Sequence, residues 1–323
     1  MKITEIGGEF GLIDRIKSKI KLFSKDVFVG VGDDAAVLRY DKNNYILFTT
    51  DMLVENDHFS LKYSNAKQIG MKSIEQNVSD IAAMGGLPKY AIISLALPID
   101  IEFDFVDKLY DGINQKSKRY KINIVGGNIT HSTEIVVNVA MIGFVEKRYL
   151  SLRSGAEVGD LIFCSGDVGT STAGLELLRQ GKNGKSINKH LEPRCRLGLA
   201  RKLVKIGINS MIDVSDGVAS EVKHICEESK VGAIINANQL PISKDTINDA
   251  KKIKKNPLDF SLYGGEDFEL VFTAGKNKLK QLKKYDVKVV GKIVDKKHGI
   301  KLVRNNKRYD LESGFDHFKR TMI

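Results

Sequence analysis

Apolar residues recur at helical spacing in several stretches of the chain. Phe10, Ile13, Ile16 and Ile20 line one face of an early helix, and Ile69, Ile74, Val78 and Ile81 do the same between Ala66 and Met84. Phe103, Val106, Leu109, Tyr110 and Ile113 mark a third helix. Between them, Ala91 to Pro98 reads as a buried strand, Ile122 to Val125 as a short one, and the valine-rich run Glu134 to Glu146 as a longer one. Helices on one side of a largely antiparallel sheet is the arrangement this half predicts.

The stretch Arg148 to Asp160 interrupts the pattern. It is polar, carries Gly155 and Gly159 and has no period, so it marks a boundary between units spanning 1–148 and 149–323. Beyond it, helices are expected at Ser171 to Gln180, Arg194 to Ile206 and Gly217 to Glu228. Strands are expected at Leu161 to Cys164, Ala233 to Asn236, Glu269 to Thr273, Val287 to Ile293 and Ile300 to Val303.

Composition agrees with two folded units. A chain of 323 residues, 42% of them hydrophobic, can bury two cores, and five prolines without a biased tract argue against disorder. The net charge of +11 comes mainly from scattered lysines, such as Lys251, Lys252, Lys254 and Lys255. No aromatic residues interleave with a basic stripe, so no nucleic-acid partner is expected. Cys164, Cys195 and Cys226 are odd in number, far apart and free of any CxxC pair, which gives neither a zinc site nor a disulfide framework. A reduced, cytoplasmic setting follows. The start, MKITEIGGEF, does not read as a signal peptide, and the longest apolar run falls far below the ~20 residues of a spanning helix, so no membrane is expected.

The informative feature is where the aspartates stand. They occur beside glycine, serine or threonine, next to apolar strands or helices: Gly32-Asp33-Asp34; Thr49-Thr50-Asp51, ending the strand Tyr45 to Phe48; Ser79-Asp80; Asp213-Val214-Ser215-Asp216-Gly217; and Gly264-Gly265-Glu266-Asp267. Val125-Gly126-Gly127-Asn128 follows a strand. Taken singly, each has an ordinary explanation: Gly-Asp-Asp as a turn, Asp80 as a solvated helix residue, Asp216 as a helix N-cap. Together, Asp34, Asp51, Asp80, Asp213 and Asp216 supply five carboxylates, with Thr49, Thr50 and Asn128 adding neutral oxygens. So many carboxylates share one site only if cations neutralise them, and hard cations such as Mg²⁺ take oxygen ligands together with substrate phosphates. Several Mg²⁺ ions and a nucleoside triphosphate are the economical reading. Arg179 to Ser186 ends like a Walker A loop but begins on arginine and follows no strand, so it is a lysine-rich loop. Gly166 to Ser171 opens a helix and is either an anion-holding N-terminus or a plain capped turn.

These motifs, in this order, resemble the thiamine-monophosphate kinase family over nearly the whole chain: GDDAAVL, TTDMLVENDHF, NVSDIAAMGG, VGGN, LRSGAEVGD, DVSDG, GGEDFEL and FDHF. The resemblance implies a two-domain α+β and α/β fold like that of aminoimidazole ribonucleotide synthetase. Its N-terminal antiparallel sheet would form a barrel across a homodimer, with a C-terminal α/β domain and ATP between the domains. It implies ATP- and Mg²⁺-dependent conversion of thiamine monophosphate into thiamine diphosphate. By the same resemblance Asp34, Thr49, Thr50, Asp51, Asp80, Asn128, Asp213 and Asp216 would hold metal. Tyr110, Gly127, Asn128, Arg153 and Ser215 would contact ATP, and His58, Glu266 and Phe315 the thiamine substrate.

Two departures stand out. Many members of the family carry aspartate at the position of Asn128, and some carry a C-terminal tryptophan where this chain has Glu312, with Phe315 nearby. Glu266 is open between a turn role and a substrate role. The attacking group would be a phosphate oxygen, mostly ionised at neutral pH because a phosphate monoester has its second pKa at about 6. No residue is therefore assigned as general acid or base. Rival readings are another ATP-dependent enzyme of the same superfamily and a non-catalytic nucleotide binder. Selenophosphate synthetase carries a reactive residue near its start and the hydrogenase-maturation dehydratase a terminal cysteine; here the first cysteine is Cys164 and the chain ends on Ile323.

Overall fold

The computed structural model describes residues 2–311 together with Gly314, Phe315 and Phe318; Glu312 and the side chain of Phe10 lie outside the described residues. The first half comprises α1 (Glu9–Lys19), β1 (Val27–Val29), β2 (Ala36–Arg39), β3 (Asn44–Val54), α2 (Ala66–Ala83), β4 (Leu87–Leu97), α3 (Phe103–Tyr120), β5 (Asn123–His131) and β6 (Val136–Glu146). The strands form one sheet in the order β1-β2-β3-β6-β4-β5. All neighbours are antiparallel except β4 and β5, whose parallel pairing uses α3 as its crossover. Strict alternation along β6 turns Val137, Val139, Met141 and Val145 into the core.

Two sequence expectations change here. The strand expected to end at Phe48 runs on to Val54, so Thr49, Thr50 and Asp51 are strand residues and not a turn; likewise Val125 to Asn128 lie inside β5. The apolar face of α1 is open in the single chain, with Ile13, Ile16 and Ile20 39%, 47% and 44% exposed.

The second half comprises β7 (Leu161–Ser165), α4 (Thr170–Arg179), α5 (Ile187–Leu191), α6 (Leu197–Ile206), β8 (Ser210–Asp213), α7 (Val218–Ser229), β9 (Gly232–Asn236), α8 (Lys244–Lys252), α9 (Pro257–Tyr263), β10 (Leu270–Ala274), α10 (Leu279–Leu282), β11 (Val287–Val294), β12 (Ile300–Arg304) and β13 (Lys307–Asp310). Its sheet runs β13-β12-β9-β11-β7-β10-β8, antiparallel but for the β12 and β9 pair. The strand β8, four residues long, gives no periodic signal in the sequence.

The two halves meet on α2. Asn65 and Gln68 close its N-terminus with a reciprocal capping box. One side of α2 packs on β3, β6 and α3, the other on α6 and β8. Its crossing with α3 is close because both helices place glycine there: a Cβ on Gly70 would stand 2.0 Å from the Leu109 carbonyl, and one on Gly112 2.0 Å from that of Lys67. The helix is buried almost all round, polar residues included: Lys72, Glu75, Gln76, Asn77 and Ser79. Each charge therefore needs a partner. Glu75, 0% exposed, accepts from Lys116 Nζ at 2.5 Å, from the Tyr120 hydroxyl at 2.8 Å, and across the domain boundary from the Cys195 amide at 3.0 Å.

Glu75→Ala leaves the Lys116 ammonium buried without its counter-charge, and a loss of about 3–5 kcal/mol is expected in urea denaturation. Replacing both residues by leucine removes both charges and should cost much less. Equal losses in the single and double variants would show that packing, not the ion pair, is what matters.

Candidate active site

Strand alternation sorts the candidate ligands. Thr49 and Asp51 are separated by one residue on β3 and face inward toward α2; Phe48, Thr50 and Met52 face outward. Asp80 stands in the last turn of α2, Asp213 at the end of β8, and Asp34 in the loop before β2. They converge. Asp80 is raised well above the ordinary carboxyl range by burial and then by Asp51, Asp213 and Asp34. Burial and then Asp34 push Asp51 up to about 6, and burial followed by Asp34 raises Asp213 as well. Hydroxyls partly compensate: Thr49 donates to Asp80 at 2.6 Å and Ser79 to Asp213 at 2.5 Å. Arg153 donates twice to Asp34 Oδ1, at 3.1 and 2.5 Å, while Asp34 Oδ2 is buried with no hydrogen-bond partner among the described residues.

Asp216 is one step removed. It is not the N-cap of α7, which is Gly217. The turn Ser215-Asp216 is fixed instead by Glu221, whose Oε1 accepts from both backbone amides at 3.1 and 2.8 Å. Burial, Asp216 and Asp213 raise Glu221 far above its usual range. Nothing in the spacing of the sequence marks Glu221 beyond its place in the first turn of α7.

Two expected ligands do not join this group within one chain. The Thr50 hydroxyl lies on the outer face and donates to the Val139 carbonyl at 3.1 Å. Asn128 pairs with Ser94, Ser94 with Asn138, and Asn138 with Met52, so it too is on the outer face. It stands three strand spacings from β3, about 14 Å along the sheet. Gly127 is needed where it is, since a Cβ would approach the Ile93 carbonyl to 1.9 Å. Tyr110 is half-buried on α3 against the N-terminal core.

A cavity of about 650 Å³ adjoins the carboxylates. Asp51, Ser215 and Asp216 line it, as do His58, Glu266, Phe315 and, from α4, Thr172, Glu176 and Arg179. Glu266 adopts a left-handed backbone, φ +63, at a cost of about 1 kcal/mol for a residue with a Cβ. Its amide donates to the Ser215 carbonyl at 2.8 Å. Gly265 permits this, because a Cβ there would stand 2.0 Å from the same carbonyl. Burial would raise the Glu266 pKa, but Lys72 and then His190 hold it below the usual value. In the sequence Lys72 reads as one of many polar residues off the apolar face of α2, and only the burial of the helix almost all round singles it out. The helix start at Gly166 to Ser171 is filled from within: Asp267 accepts from the amides of Gly169 and Ser171, at 2.5 and 2.9 Å.

The donor set fits a hard cation. It is all oxygen, rich in carboxylate, and includes the orphaned Asp34 Oδ2. Among the described residues no three such side chains yet stand in metal-ligand geometry; Asp34, Asp80 and Asp213 are turned instead to Arg153, Thr49 and Ser79.

Comparison with known proteins agrees with this layout. The N-terminal domain of AIR synthase related proteins matches residues 32–145 and the C-terminal domain residues 157–303. The thiamine-monophosphate kinase of Aquifex aeolicus is 39% identical over 284 residues, 86% of this chain and 89% of that protein. That of Bacillus subtilis is 33% identical over 328 residues, covering 96% and 99%. Among solved structures, AaThiL complexed with AMPPCP and TMP superposes with a TM-score of 0.87 at 36% identity, covering 98% of this chain and 99% of that one. The hydrogenase maturation protein HypE in complex with ATP, at 16% identity and a TM-score of 0.72 over 88% and 89%, shares the fold alone.

A carboxyl with a raised folded-state pKa destabilises the fold when ionised. The penalty is full above the folded value and fades as pH falls toward the unfolded one, here from about 6 to 3.8 for Asp51. Asp51→Asn should therefore raise the melting temperature of the metal-free chain at about pH 7.5, with a smaller gain at about pH 5.5. The difference from wild type is the quantity to read, because buried His190, pushed down to about 4, loses stability as pH falls below 6.5 in both chains. Mg²⁺ should raise the wild-type melting temperature at the higher pH and raise that of the variant less. A variant destabilised at both pH values, with an unaltered Mg²⁺ response, would contradict the cluster.

Proposed function

This chain belongs to the thiamine-monophosphate kinase family, and we propose that it transfers the γ-phosphoryl group of ATP to the phosphate of thiamine monophosphate, giving thiamine diphosphate and ADP. The observation that carries the reading is the shared cavity. One space of about 650 Å³ is bounded both by carboxylates suited to metal-bound phosphates and by His58, Glu266 and Phe315, suited to an organic ring system.

The acceptor phosphate is already a nucleophile, so the reaction needs no general base. Repulsion between two polyanions is the obstacle, and alignment with the γ-phosphorus is the remaining task. Asp34, Asp51, Asp80, Asp213 and Asp216, with the Thr49 hydroxyl, would hold Mg²⁺, which when bound offsets phosphate charge and clamps the reacting oxygens. Arg153, anchored on Asp34, adds a fixed positive charge for the nucleotide. Ser215 holds the turn that separates the metal side from the substrate side, through its amide to Glu221 and its carbonyl to Glu266. Glu266 and His58 face the thiamine moiety. Gly127, Asn128 and Tyr110 are proposed for the nucleotide at a distance from the carboxylates.

A homodimer through the first domain is part of the same reading. The outer sheet face exposes Phe48, Met52 and Ile92, and on the open edge strand β5 Val125 and Ile129 are 61% and 71% exposed. No described helix is long and apolar enough to cross a membrane.

Coupled ATP turnover should be seen with thiamine monophosphate and not with free thiamine; rapid formation of the monophosphate from thiamine would overturn the assignment. In the same assay Asp51→Asn should lower turnover sharply and shift the Mg²⁺ dependence upward; normal kinetics with only a lowered melting temperature would reduce Asp51 to a structural residue. Light scattering at micromolar protein should report a particle of two chains, and a monomer would count against the dimer.

A further inference from the structure

We propose that Lys72 is a positioning residue for substrate recognition, a single buried ammonium that, anchored on the His58 carbonyl, fixes the Glu266 carboxylate across the domain boundary. The inference rests on reading the cavity as the thiamine monophosphate site. Lys72 belongs to α2 of the first domain and is 3% exposed. Its Nζ lies 2.5 Å from Glu266 Oε1 and donates to the His58 carbonyl at 2.9 Å. Both partners line the cavity, one from each half of the chain.

A lysine offers three donors and no acceptor, so it can join two acceptors from different parts of the chain. Burying it restricts a long side chain and removes a charge from water, and an apolar residue would serve mere packing as well. What an apolar residue could not do is hold Glu266. That carboxylate sits on a left-handed residue after two glycines, and its second oxygen, Oε2, is 3.5 Å from His190 Nδ1. Without the ammonium the side chain is free to turn toward His190. With it, Oε1 is occupied and the pair carries no net charge, so Glu266 meets the substrate as an oriented hydrogen-bond acceptor.

The test compares wild type with Lys72→Met, Lys72→Arg, Glu266→Gln and the Lys72→Met/Glu266→Gln pair. Lys72→Met should raise KM for thiamine monophosphate about tenfold, the loss of one charge-assisted contact, while kcat falls less than about threefold and KM for ATP is unchanged. Lys72→Arg should recover part of that affinity. The double variant should match Glu266→Gln, because Lys72 acts through that carboxylate. Should Lys72→Met alone fail to fold, the double variant, which leaves no unpaired buried charge, is compared with Glu266→Gln directly. An unchanged KM in Lys72→Met, a parallel fall in kcat with a rise in both KM values, or an additional tenfold loss in the double variant would overturn the role of Lys72 while leaving the function intact. A wild type without turnover of thiamine monophosphate would overturn the function, and this role with it.

Discussion

A buried helix cannot leave its polar side chains unpartnered, and α2 carries more of them than a core helix ordinarily does. Lys72, Glu75, Ser79 and Asp80 leave it in different directions, and each meets a group from elsewhere. Lys72 reaches Glu266, Glu75 reaches Lys116 and the Cys195 amide, Ser79 reaches Asp213, and Asp80 accepts from Thr49. Three of these links cross from the first half of the chain to the second. The energetic demand of satisfying buried charge therefore fixes how the halves sit together, and the cavity is the space left where they meet.

The same demand separates structural acids from reactive ones. In Glu266-Asp267-Phe268-Glu269 three acids stand within four residues and do different things. Glu269, 0% exposed, is held by Arg196 and Lys189, at 2.5 and 2.7 Å, which keep it below the usual carboxyl range against its burial. Asp267 closes the start of α4 by accepting from the amides of Gly169 and Ser171, although burial raises its carboxyl to about 7. Glu266 alone is turned to the cavity. By contrast Asp34, Asp51, Asp80 and Asp213 are all raised by burial, the last three further by neighbouring carboxyls, while Arg153 pairs with Asp34. Acids paired with cations hold the fold; the group raised by burial is the one proposed for metal-bound phosphate.

Much of this was legible in the linear sequence. Hydrophobic period gave α2, α3, β4, β6, α4, α6 and α7, because each is long or buried enough to print its spacing on the chain. It did not give β8, which is too short, or the full length of β3, where two threonines and an aspartate resemble a turn but pair in a central strand. The open face of α1 follows the helical period and yet is not packed within one chain, since period reports amphipathicity and not what covers it.

By itself the sequence determined that several oxygen-bearing motifs lie beside glycines in a two-domain α and β chain, and their order determined the family. Only the tertiary structure decided which of them meet. Strand alternation set Thr49 and Asp51 on one face and Thr50 and Asn128 on the other, a consequence of the two-residue period of a β-strand acting with the sheet order. Lys72 and Glu221 came into view only in space, because their partners are remote in sequence or hidden in a turn, and pairing across a fold leaves no spacing in the chain from which to read it.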